Sequence, residues 1–397
     1  MFEPADPSQL PVARPLVCVS QLLARAAVLG AGAWGTALAT ALQRAGVSTK
    51  LWARRPDRAR HLIATRRTDV LPGIVLPADL RVSHDLAATV EDAQLVLFAV
   101  PASATRELAR RVTGLLAPHT LVLSASKGFE PESGDFMTEV LDGMLGRSVY
   151  TGVLSGPSFA LGVARGEPTL LTLAISALDP VHPKRRLVQR QADALARALA
   201  RANLRVESTP DVVGAQVGGA LKNQIAIACG MATALGLGEN ARAGILSRGL
   251  DDMRRLTVAL GGRVETLLGS CGVGDLFLTA ASPHSRNTRL GMRLGGGLSG
   301  FDSKQGELAE GALSARTVAH IENRLGIRLD LAAALRDVLD GVRTPAEALA
   351  GLLEPHTHAQ PYPRLQTSPD LPALLRPLDL TRRARSLHGC GTEPGHV

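Results

Sequence analysis

The stretch RAAVLGAGAWGTALATALQRAG, Arg25–Gly46, contains an apolar run, a glycine turn and a helical pattern in direct succession. The glycines Gly30, Gly32 and Gly35 have the spacing G-x-G-x-x-G, and another strand-like run begins about 20 residues later. Gly30 permits the tight turn, Gly32 lets the backbone approach a pyrophosphate, and Gly35 lets the helix pack closely on the strand. The stretch therefore predicts the first βαβ unit of a dinucleotide-binding domain, with phosphates at the helix N-terminus. A glycine turn with a purely structural role is the alternative.

The end of the next strand carries arginines where a site for NAD would carry an acidic residue. The sequence there is ARRPDRAR, and its first two basic residues are Arg54 and Arg55. Two guanidinium groups are suited to the 2′-phosphate of NADP, whereas Asp or Glu binds the ribose hydroxyls of NAD. We therefore expect NADPH or NADP as the cofactor. NADH stays open, because arginine-rich loops are common in this chain.

Strand-like runs continue along the first half of the chain, and helical segments separate the early ones. These runs are TKLWAR at 49–54, LVLFAV at 95–100, TLVLSAS at 120–126, SVYTGVLSG at 148–156 and TLLTLAIS at 169–176. This alternation predicts βαβ units and a mostly parallel sheet. After roughly Asp211 the chain changes to long Ala-, Leu- and Gly-rich segments with helical spacing. The pattern predicts an α/β Rossmann-type N-terminal domain followed by an all-helical C-terminal domain.

These patterns divide the chain into four parts. Residues 1–24 are predicted to form a flexible arm, and 25–210 the dinucleotide-binding Rossmann domain. Residues 211–353 are predicted to form the helical substrate-binding and catalytic domain. The remaining residues, 354–397, are rich in Pro, His and Arg, which predicts a disordered tail.

Charge and aromatic content restrict the classes of partner. The chain has 397 residues, a formal net charge of +8 and 3% aromatic residues. A positive charge favours anionic ligands. Scattered arginines with few stacking aromatics do not predict a nucleic-acid partner, so we expect an anionic small molecule. The sequence leaves a homodimer open.

Cysteine spacing and the N-terminus predict a cytoplasmic protein. The cysteines are far apart and form no CxxC pair, which predicts neither a metal site nor a disulfide framework; they are Cys18, Cys229, Cys271 and Cys390. The apolar patch PLVCVSQLLARAAVLG is interrupted by Gln21 and Arg25. It lacks the basic start of a signal peptide and the length of a membrane span, so no membrane insertion is expected.

Lysine is rare in this chain, and one lysine lies in an unusual setting. Of 44 basic residues five are lysines, and Lys222 lies inside the apolar, small-residue run GGALKNQIAIACG at 218–230. Burial can bring the pKa of a lysine towards neutrality, whereas a guanidinium stays protonated. We therefore expect Lys222 to gain and lose a proton. The alternative is a lysine whose stem packs on the helix while its amine reaches water.

Further motifs follow the glycine turn in a fixed order. They are SKGFE at 126–130, LSGPSFA at 154–160, GGALKNQIAIACG at 218–230, GLGENARAGILSRGL at 236–250, GSCGVGDLFLTAASPHSRNTRLG at 269–291 and LAEGA at 308–312. With the turn, they resemble bacterial NAD(P)-dependent glycerol-3-phosphate dehydrogenase over roughly residues 25–352. The resemblance implies a Rossmann domain, a helical domain similar to that of 6-phosphogluconate dehydrogenase, and an active site in the cleft between them. The implied reaction interconverts sn-glycerol 3-phosphate and dihydroxyacetone phosphate, supplying glycerol 3-phosphate for glycerophospholipid synthesis.

The resemblance also assigns roles to single residues. The lysine of ALKN, Lys222, is the implied proton acceptor. The implied substrate contacts are Lys127, Gly156, Ser158, Lys222, Asp275, Ser285, Arg286 and Asn287. The turn and the resemblance together predict these cofactor contacts: Gly30, Gly32, Ala33, Trp34, Gly35, Arg54, Arg55, Lys127, Ala160, Arg286, Leu308 and Glu310. Two motifs depart from the family pattern, because CGVGDL replaces a glycine-leucine-glycine run and GEN replaces Gly-Asp-Asn.

Elementary chemistry agrees with these roles and leaves alternatives. Asp275 would orient the amine of Lys222, although it could instead be the N-cap of a helix beginning at LFLTAA. Ser285, Arg286 and Asn287 offer hydroxyl, guanidinium and amide donors for a phosphate, although they could form an ordinary polar loop. Lys127 follows the carboxyl end of a strand, where open α/β sheets bind ligands.

Two other functions compete with the dehydrogenase. One is a related two-domain NADP-dependent reductase of 2-hydroxy or 2-keto acids, which the Ser-Arg-Asn cluster disfavours. The other is a non-catalytic NADPH-binding sensor, and the features that favour it are the arm and the tail. A sensor would be expected to have lost catalytic residues, whereas Lys222 and Asp275 are both present.

Overall fold

The computed structural model describes residues 23–297 and 310–354. The predictions for residues 1–22, for Leu308 and for the tail from residue 355 lie outside the described residues. The described residues up to Leu353 form one compact unit, which contains both the sheet and the helical half.

The described residues contain eight strands: β1 Arg25–Leu29, β2 Ser48–Trp52, β3 Arg81–Ser83, β4 Leu95–Phe98, β5 Leu121–Ser124, β6 Tyr150–Ser155, β7 Thr169–Ala174 and β8 Leu204–Thr209. They form a single sheet in the order β3-β2-β1-β4-β5-β6-β7-β8. Neighbouring strands are parallel except β6 and β7, which are antiparallel. The mostly parallel sheet predicted from the sequence is confirmed. Every predicted strand run contains a strand, whereas β3 and β8 were not singled out.

Helices cover both faces of this sheet: α1 Ala33–Arg44, α2 Pro56–Thr65, α3 Leu86–Val90, α4 Ala102–Val112, α5 Met137–Leu145, α6 Ala160–Arg165 and α7 Arg185–Ala200. Successive side chains of a strand point to opposite faces. In β1, Ala26 and Val28 accordingly join one apolar cluster, and Ala27 and Leu29 join another. Because both faces are covered, the central strands are apolar runs without alternation.

The second half of the chain is helical: α8 Val212–Ala234, α9 Gly238–Ala259, α10 Val264–Leu267, α11 Asp275–Ala281, α12 Arg286–Gly295, α13 Glu310–Leu325, α14 Asp330–Leu339 and α15 Pro345–Leu353. A π-helical segment, Ser270–Gly274, precedes α11. The all-helical C-terminal domain is therefore confirmed. The boundary at residue 211 stays a prediction, although β8 ends at Thr209 and α8 begins at Val212.

Helix α8 is the centre of the helical half, and its glycines explain its small-residue sequence. A Cβ on Gly218 would lie 2.4 Å from the carbonyl oxygen of Cys271, and one on Gly230 would lie 2.2 Å from that of Thr288. Neighbouring backbones therefore contact α8 directly, which requires glycine at these positions.

No helix in the described ranges is long and apolar enough to cross a membrane.

Candidate active site

A fully buried carboxylate, that of Asp275, joins two lysines from opposite halves of the chain. Lys222, in the middle of α8, places Nζ 2.5 Å from Oδ1 of Asp275. Lys127, just beyond β5, places Nζ 2.6 Å from Oδ2. The Asp275 side chain is 0% exposed, so each of its oxygens is paired with one ammonium away from bulk water. Sequence reasoning expected the pairing with Lys222 but not the one with Lys127.

The hydroxyl of Thr279 completes the environment of the Lys222 amine. Lys222 Nζ donates to Thr279 Oγ1 at 2.9 Å, and that hydroxyl donates to the Asp275 carbonyl at 2.7 Å. Sequence reasoning missed Thr279. The available signal was its spacing of four residues from Asp275, which places both on one face of α11.

The amine of Lys222 is tuned by its surroundings. Burial lowers the pKa of Lys222 to about 8, and Asp275 opposes this shift while the charge of Lys127 adds to it. The residue is 7% exposed, so the alternative of an amine reaching into water is wrong. Both protonation states are therefore accessible near neutral pH, as a group that accepts and donates protons requires.

The π-helical segment places Asp275 in its buried position. A Cβ on Gly272 would lie 2.0 Å from the carbonyl oxygen of Leu267, so the segment requires glycine there. Ser270 Oγ lies 2.7 Å from Thr172 Oγ1 of β7, which ties the segment to the sheet. The N-cap alternative for Asp275 is wrong, because this residue begins α11 and its carboxylate binds the lysines instead.

The motif LSGPSFA meets Lys127 through one carbonyl group. The carbonyl oxygen of Gly156 accepts from Lys127 Nζ at 3.1 Å and from Ser158 Oγ at 3.0 Å. Gly156 has φ +147, and a Cβ there would lie 2.9 Å from the carbonyl oxygen of Leu170. The structure thus places Gly156 and Ser158 beside Lys127, and their role as substrate contacts stays a prediction.

The Ser-Arg-Asn cluster at the start of α12 is partly engaged with the protein. Ser285 is the N-cap of α12 and accepts from the Thr288 backbone N–H at 3.3 Å. Asn287 Oδ1 accepts from the Gly311 backbone N–H at 3.1 Å. Arg286 is exposed. The phosphate-binding role of the three residues stays a prediction, and the guanidinium of Arg286 is the most accessible donor among them.

The glycine turn after β1 has the shape that a dinucleotide phosphate needs. A Cβ on Gly30 would lie 2.4 Å from the Ala99 carbonyl oxygen, and one on Gly35 would lie 1.9 Å from that of Gly30. A Cβ on Gly32 would meet nothing within 4 Å. Packing within the protein therefore accounts for Gly30 and Gly35 but not for Gly32, where the open space at the α1 N-terminus fits a phosphate.

Other side chains near the turn also fit a nucleotide. Trp34 Nε1 is buried without a hydrogen-bond partner among the described residues, which leaves a donor for a ligand. Arg54 and Arg55 are exposed just beyond β2. Ala33 and Ala160 begin α1 and α6.

Glu310 contacts the helix that carries Lys222. Its Oε2 accepts from Nδ2 of Asn223, the residue after Lys222, at 3.2 Å.

Arg58 contacts the glycine turn. Its Nε donates to the carbonyl of Ala31 in the turn at 3.1 Å. Sequence reasoning missed Arg58, although it lies in the same motif as Arg54.

Comparisons with known proteins identify the family of the chain. Two family models match: NAD-dependent glycerol-3-phosphate dehydrogenase N-terminus over residues 25–179 and C-terminus over 211–350. A Rhodospirillum rubrum protein named glycerol-3-phosphate dehydrogenase (NAD(P)+) is 42% identical over 341 residues, which are 84% of this chain and 93% of that protein.

Among solved structures, one similar chain belongs to the same family and another shares only the fold. The crystal structure of glycerol-3-phosphate dehydrogenase from Coxiella burnetii is 33% identical, with a TM-score of 0.76 over 84% of this chain and 100% of that one. A PanE/ApbA family ketopantoate reductase from Ralstonia eutropha is 20% identical, with a TM-score of 0.52 over 82% of this chain and 99% of that one, and shares the fold alone. The chain belongs to the NAD-dependent glycerol-3-phosphate dehydrogenase family.

Proposed function

We propose that the protein interconverts dihydroxyacetone phosphate and sn-glycerol 3-phosphate with NADPH, NADH remaining open, and so supplies glycerol 3-phosphate for glycerophospholipid synthesis. The observation that carries the proposal is the buried lysine amine of Lys222 held between Asp275 and Thr279. When bound, the nicotinamide cofactor gives or accepts the hydride. The residues of the chain bind the substrate, orient it and move the proton.

Lys222 is the proposed proton-transferring group. In the oxidative direction its neutral amine accepts the proton of the substrate hydroxyl, and in the reductive direction its ammonium donates to the ketone oxygen. A positioned group of this kind contributes about 10²- to 10⁴-fold to the rate. Asp275 holds the amine in place, and Thr279 fixes one of its hydrogen bonds.

The remaining substrate contacts are proposed around this amine. Lys127, with a side chain 16% exposed, presents a second positive charge near the substrate oxygen atoms. Gly156 and Ser158 adjoin it through their shared carbonyl. We assign the phosphate to the α12 N-terminus with Ser285, Arg286 and Asn287, because hydrogen bonds from charged donors suit a dianion.

We propose that NADPH is preferred through its 2′-phosphate. The support is the exposed position of Arg54 and Arg55 beside the glycine turn. Replacing both by Ala should raise KM for NADPH at least about tenfold more than KM for NADH, since charge-assisted bonds to the 2′-phosphate are lost. Equal increases for both cofactors would reject the preference.

The function is tested by steady-state assay of dihydroxyacetone phosphate with NADPH and then NADH. Turnover of dihydroxyacetone phosphate, with little turnover of non-phosphorylated 2-keto acids, is the expected result. Preferred turnover of a 2-keto acid would support the related reductase instead. Tight NADPH binding without turnover of either substrate would support the sensor.

The proposed setting is the cytoplasm, with a small-molecule substrate and no nucleic-acid partner. Cys229 and Cys271 are both free and buried, which fits a reducing compartment. Sedimentation equilibrium of the full chain distinguishes a monomer from the homodimer that the sequence leaves open.

A further inference from the structure

The segment that carries Lys127 leaves the Rossmann half, packs against the helical half and returns to the Rossmann half. It leaves the sheet after β5 and reaches α5 at Met137. Within it, Phe129 and Phe136 are 3% and 4% exposed and belong to the apolar cluster of the helical half. Their ring centroids are 5.0 Å apart. The backbone on either side of Lys127 is therefore held by different cores, and the position of the lysine depends on how the segment is fixed between them.

An ion pair between a half-exposed arginine and a buried glutamate fixes this segment to the Rossmann half. Arg106 of α4 donates through Nε and Nη2 to the two carboxylate oxygens of Glu130, three residues beyond Lys127. The Glu130 side chain is 7% exposed, and its Oε2 also accepts from Ser133 Oγ at 2.6 Å. The Arg106 guanidinium holds the pKa of Glu130 below its usual range, so the pair is ionised.

A second set of contacts extends this pair to the helical half. Asp135 Oδ2 lies 3.4 Å from Arg106 Nη2, and Arg324 of α13 donates to the Ser133 carbonyl at 3.4 Å. The Glu130 backbone N–H donates to the Asp135 carbonyl at 2.9 Å, which closes the segment into a turn. Arg106 therefore contacts two of the three acidic side chains of a turn that packs against the helical half.

Such a pair fixes the position of the segment more than it stabilises the fold. An ion pair that is partly exposed adds little net stability, whereas a two-point guanidinium–carboxylate contact fixes both distance and orientation. Lysine has one ammonium in place of the planar fork and cannot reproduce that contact. From this geometry we infer that Arg106 and Glu130 are positioning residues that hold Lys127 against Asp275. The inference rests on the proposed function, in which Lys127 and Lys222 share that carboxylate.

A shift of Lys127 would have a recognisable consequence at Lys222. Among the described residues, the charged groups that act on the Lys222 amine are Asp275 and Lys127, and Thr279 adds a neutral hydroxyl. If Lys127 moves away, a positive charge that lowers the pKa of Lys222 is lost, so that pKa rises. The neutral amine needed for oxidation then forms only at higher pH. A residue with a merely structural role would not shift this profile.

The test uses the full chain with Arg106→Lys and, separately, Glu130→Gln. The matched control is Arg110→Lys, which alters the exposed pair with Glu107 on the same helix. We expect kcat of both test variants to fall about 10- to 100-fold, as small misplacements of catalytic groups do. The pH profile of glycerol 3-phosphate oxidation should also move to higher pH by about 0.5 to 1 unit, while the control stays at the wild-type values. Folded variants with lower thermal stability but wild-type kcat and pH profile would overturn the inference.

A crystal structure of the Arg106→Lys variant supplies a result independent of turnover. The inference predicts that Lys127 Nζ no longer lies within hydrogen-bond distance of Asp275. If that contact remains at its present length, the inference is wrong whatever the assays give. If the wild type fails to turn over dihydroxyacetone phosphate, the proposed function fails, and this structure still decides whether Arg106 positions Lys127. Should Arg106→Lys not fold, the crystal structure of Glu130→Gln gives the same decision.

Discussion

Two buried aspartates of the helical half have opposite kinds of partner. Asp275 is 0% exposed and binds the side-chain ammoniums of Lys127 and Lys222. Asp252 of α9 is 3% exposed and binds the first turn of α14, accepting from backbone N–H groups at 2.9 to 3.2 Å. Among the described residues, the cation that donates to it is Arg255, at 3.1 Å.

The difference lies in whether the partners can lose a proton. Backbone N–H groups and guanidinium keep their protons at every pH a protein meets, and the Asp252 carboxylate accepts from them at the positive end of α14. Burial raises the pKa of the Asp252 carboxyl to about 7, so this cap is fully charged only above that pH. A lysine amine can be neutral or charged, and burial brings the pKa of Lys222 to about 8. Similar burial therefore serves stability at one carboxylate and proton transfer at the other.

The largest effect is expected from Lys222→Arg. Arginine keeps a positive charge beside Asp275, but its guanidinium does not lose a proton at working pH. We expect kcat to fall at least about 10²-fold in both directions, with NADPH binding retained because the glycine turn lies in the other half. Stopped-flow turnover and fluorescence titration of NADPH measure the two effects. Lys184→Arg, at an exposed lysine, is the control and should be close to neutral.

The second-largest effect is a loss of stability, expected from a change at the Asp252 carboxylate. Asp252→Asn replaces an acceptor oxygen by an NH₂ group that faces backbone donors, and it leaves them unsatisfied. We expect the free energy of unfolding to fall by about 2–4 kcal/mol, while kcat of the folded enzyme stays near wild type. Urea denaturation with parallel assays measures this, and the neighbouring, half-exposed Asp251 gives the control Asp251→Asn. A large loss of kcat without loss of stability would remove the distinction between the two aspartates.

A smaller effect separates the two sites by its dependence on pH. In Asp275→Asn the buried amine of Lys222 lacks its carboxylate and gives up its proton, whereas the unfolded chain keeps that proton below the ordinary lysine pKa. The unfolded state then binds more protons, so the stability deficit should shrink as pH rises, by up to about 1.4 kcal/mol per pH unit. Burial raises the pKa of Asp252 to about 7, so the Asp252→Asn deficit should shrink only up to about that pH and stay constant above it. Denaturation curves between about pH 7.5 and 8.5 compare the two variants, and equal slopes there would contradict the account.

The smallest effect is expected from Thr279→Val, which removes one hydrogen bond to Lys222 and keeps the side-chain shape. A single such bond contributes about 1 kcal/mol, so we expect kcat to fall about fivefold. Thr257→Val, at a buried threonine of α9, is the control. An unchanged kcat in the Thr279 variant would show that Asp275 alone orients the amine.

The sequence predicted the architecture because its signals are local. Apolar runs such as 95–100 and the glycine turn at Gly30 are each contained in a few consecutive residues, so the sequence pattern shows them directly. The edge strand β3, with three residues, has too few positions for such a pattern. Glycines within α8 gave a small-residue pattern, but the backbones that lie against Gly218 and Gly230 become visible only in three dimensions.

The site was predicted less completely, because its contacts span long sequence separations. Lys127 and Asp275 are 148 residues apart and meet only because a loop and a π-helical turn converge. Periodicity contains no information on such a meeting. The N-cap interpretation of Asp275 failed for a local reason, because the residues directly before it form a helical turn and not a loop.

The central claim is that the Lys222 amine, with its lowered pKa, transfers the proton. The most direct measurement is the pH dependence of kcat/KM in both directions, which reports groups of the free enzyme. For glycerol 3-phosphate oxidation kcat/KM should fall as pH drops below about 8, because the amine becomes protonated. For reduction of dihydroxyacetone phosphate it should fall as pH rises above about 8, because the ammonium is lost. Profiles that stay flat in both directions between pH 6.5 and 9.5 would contradict the account.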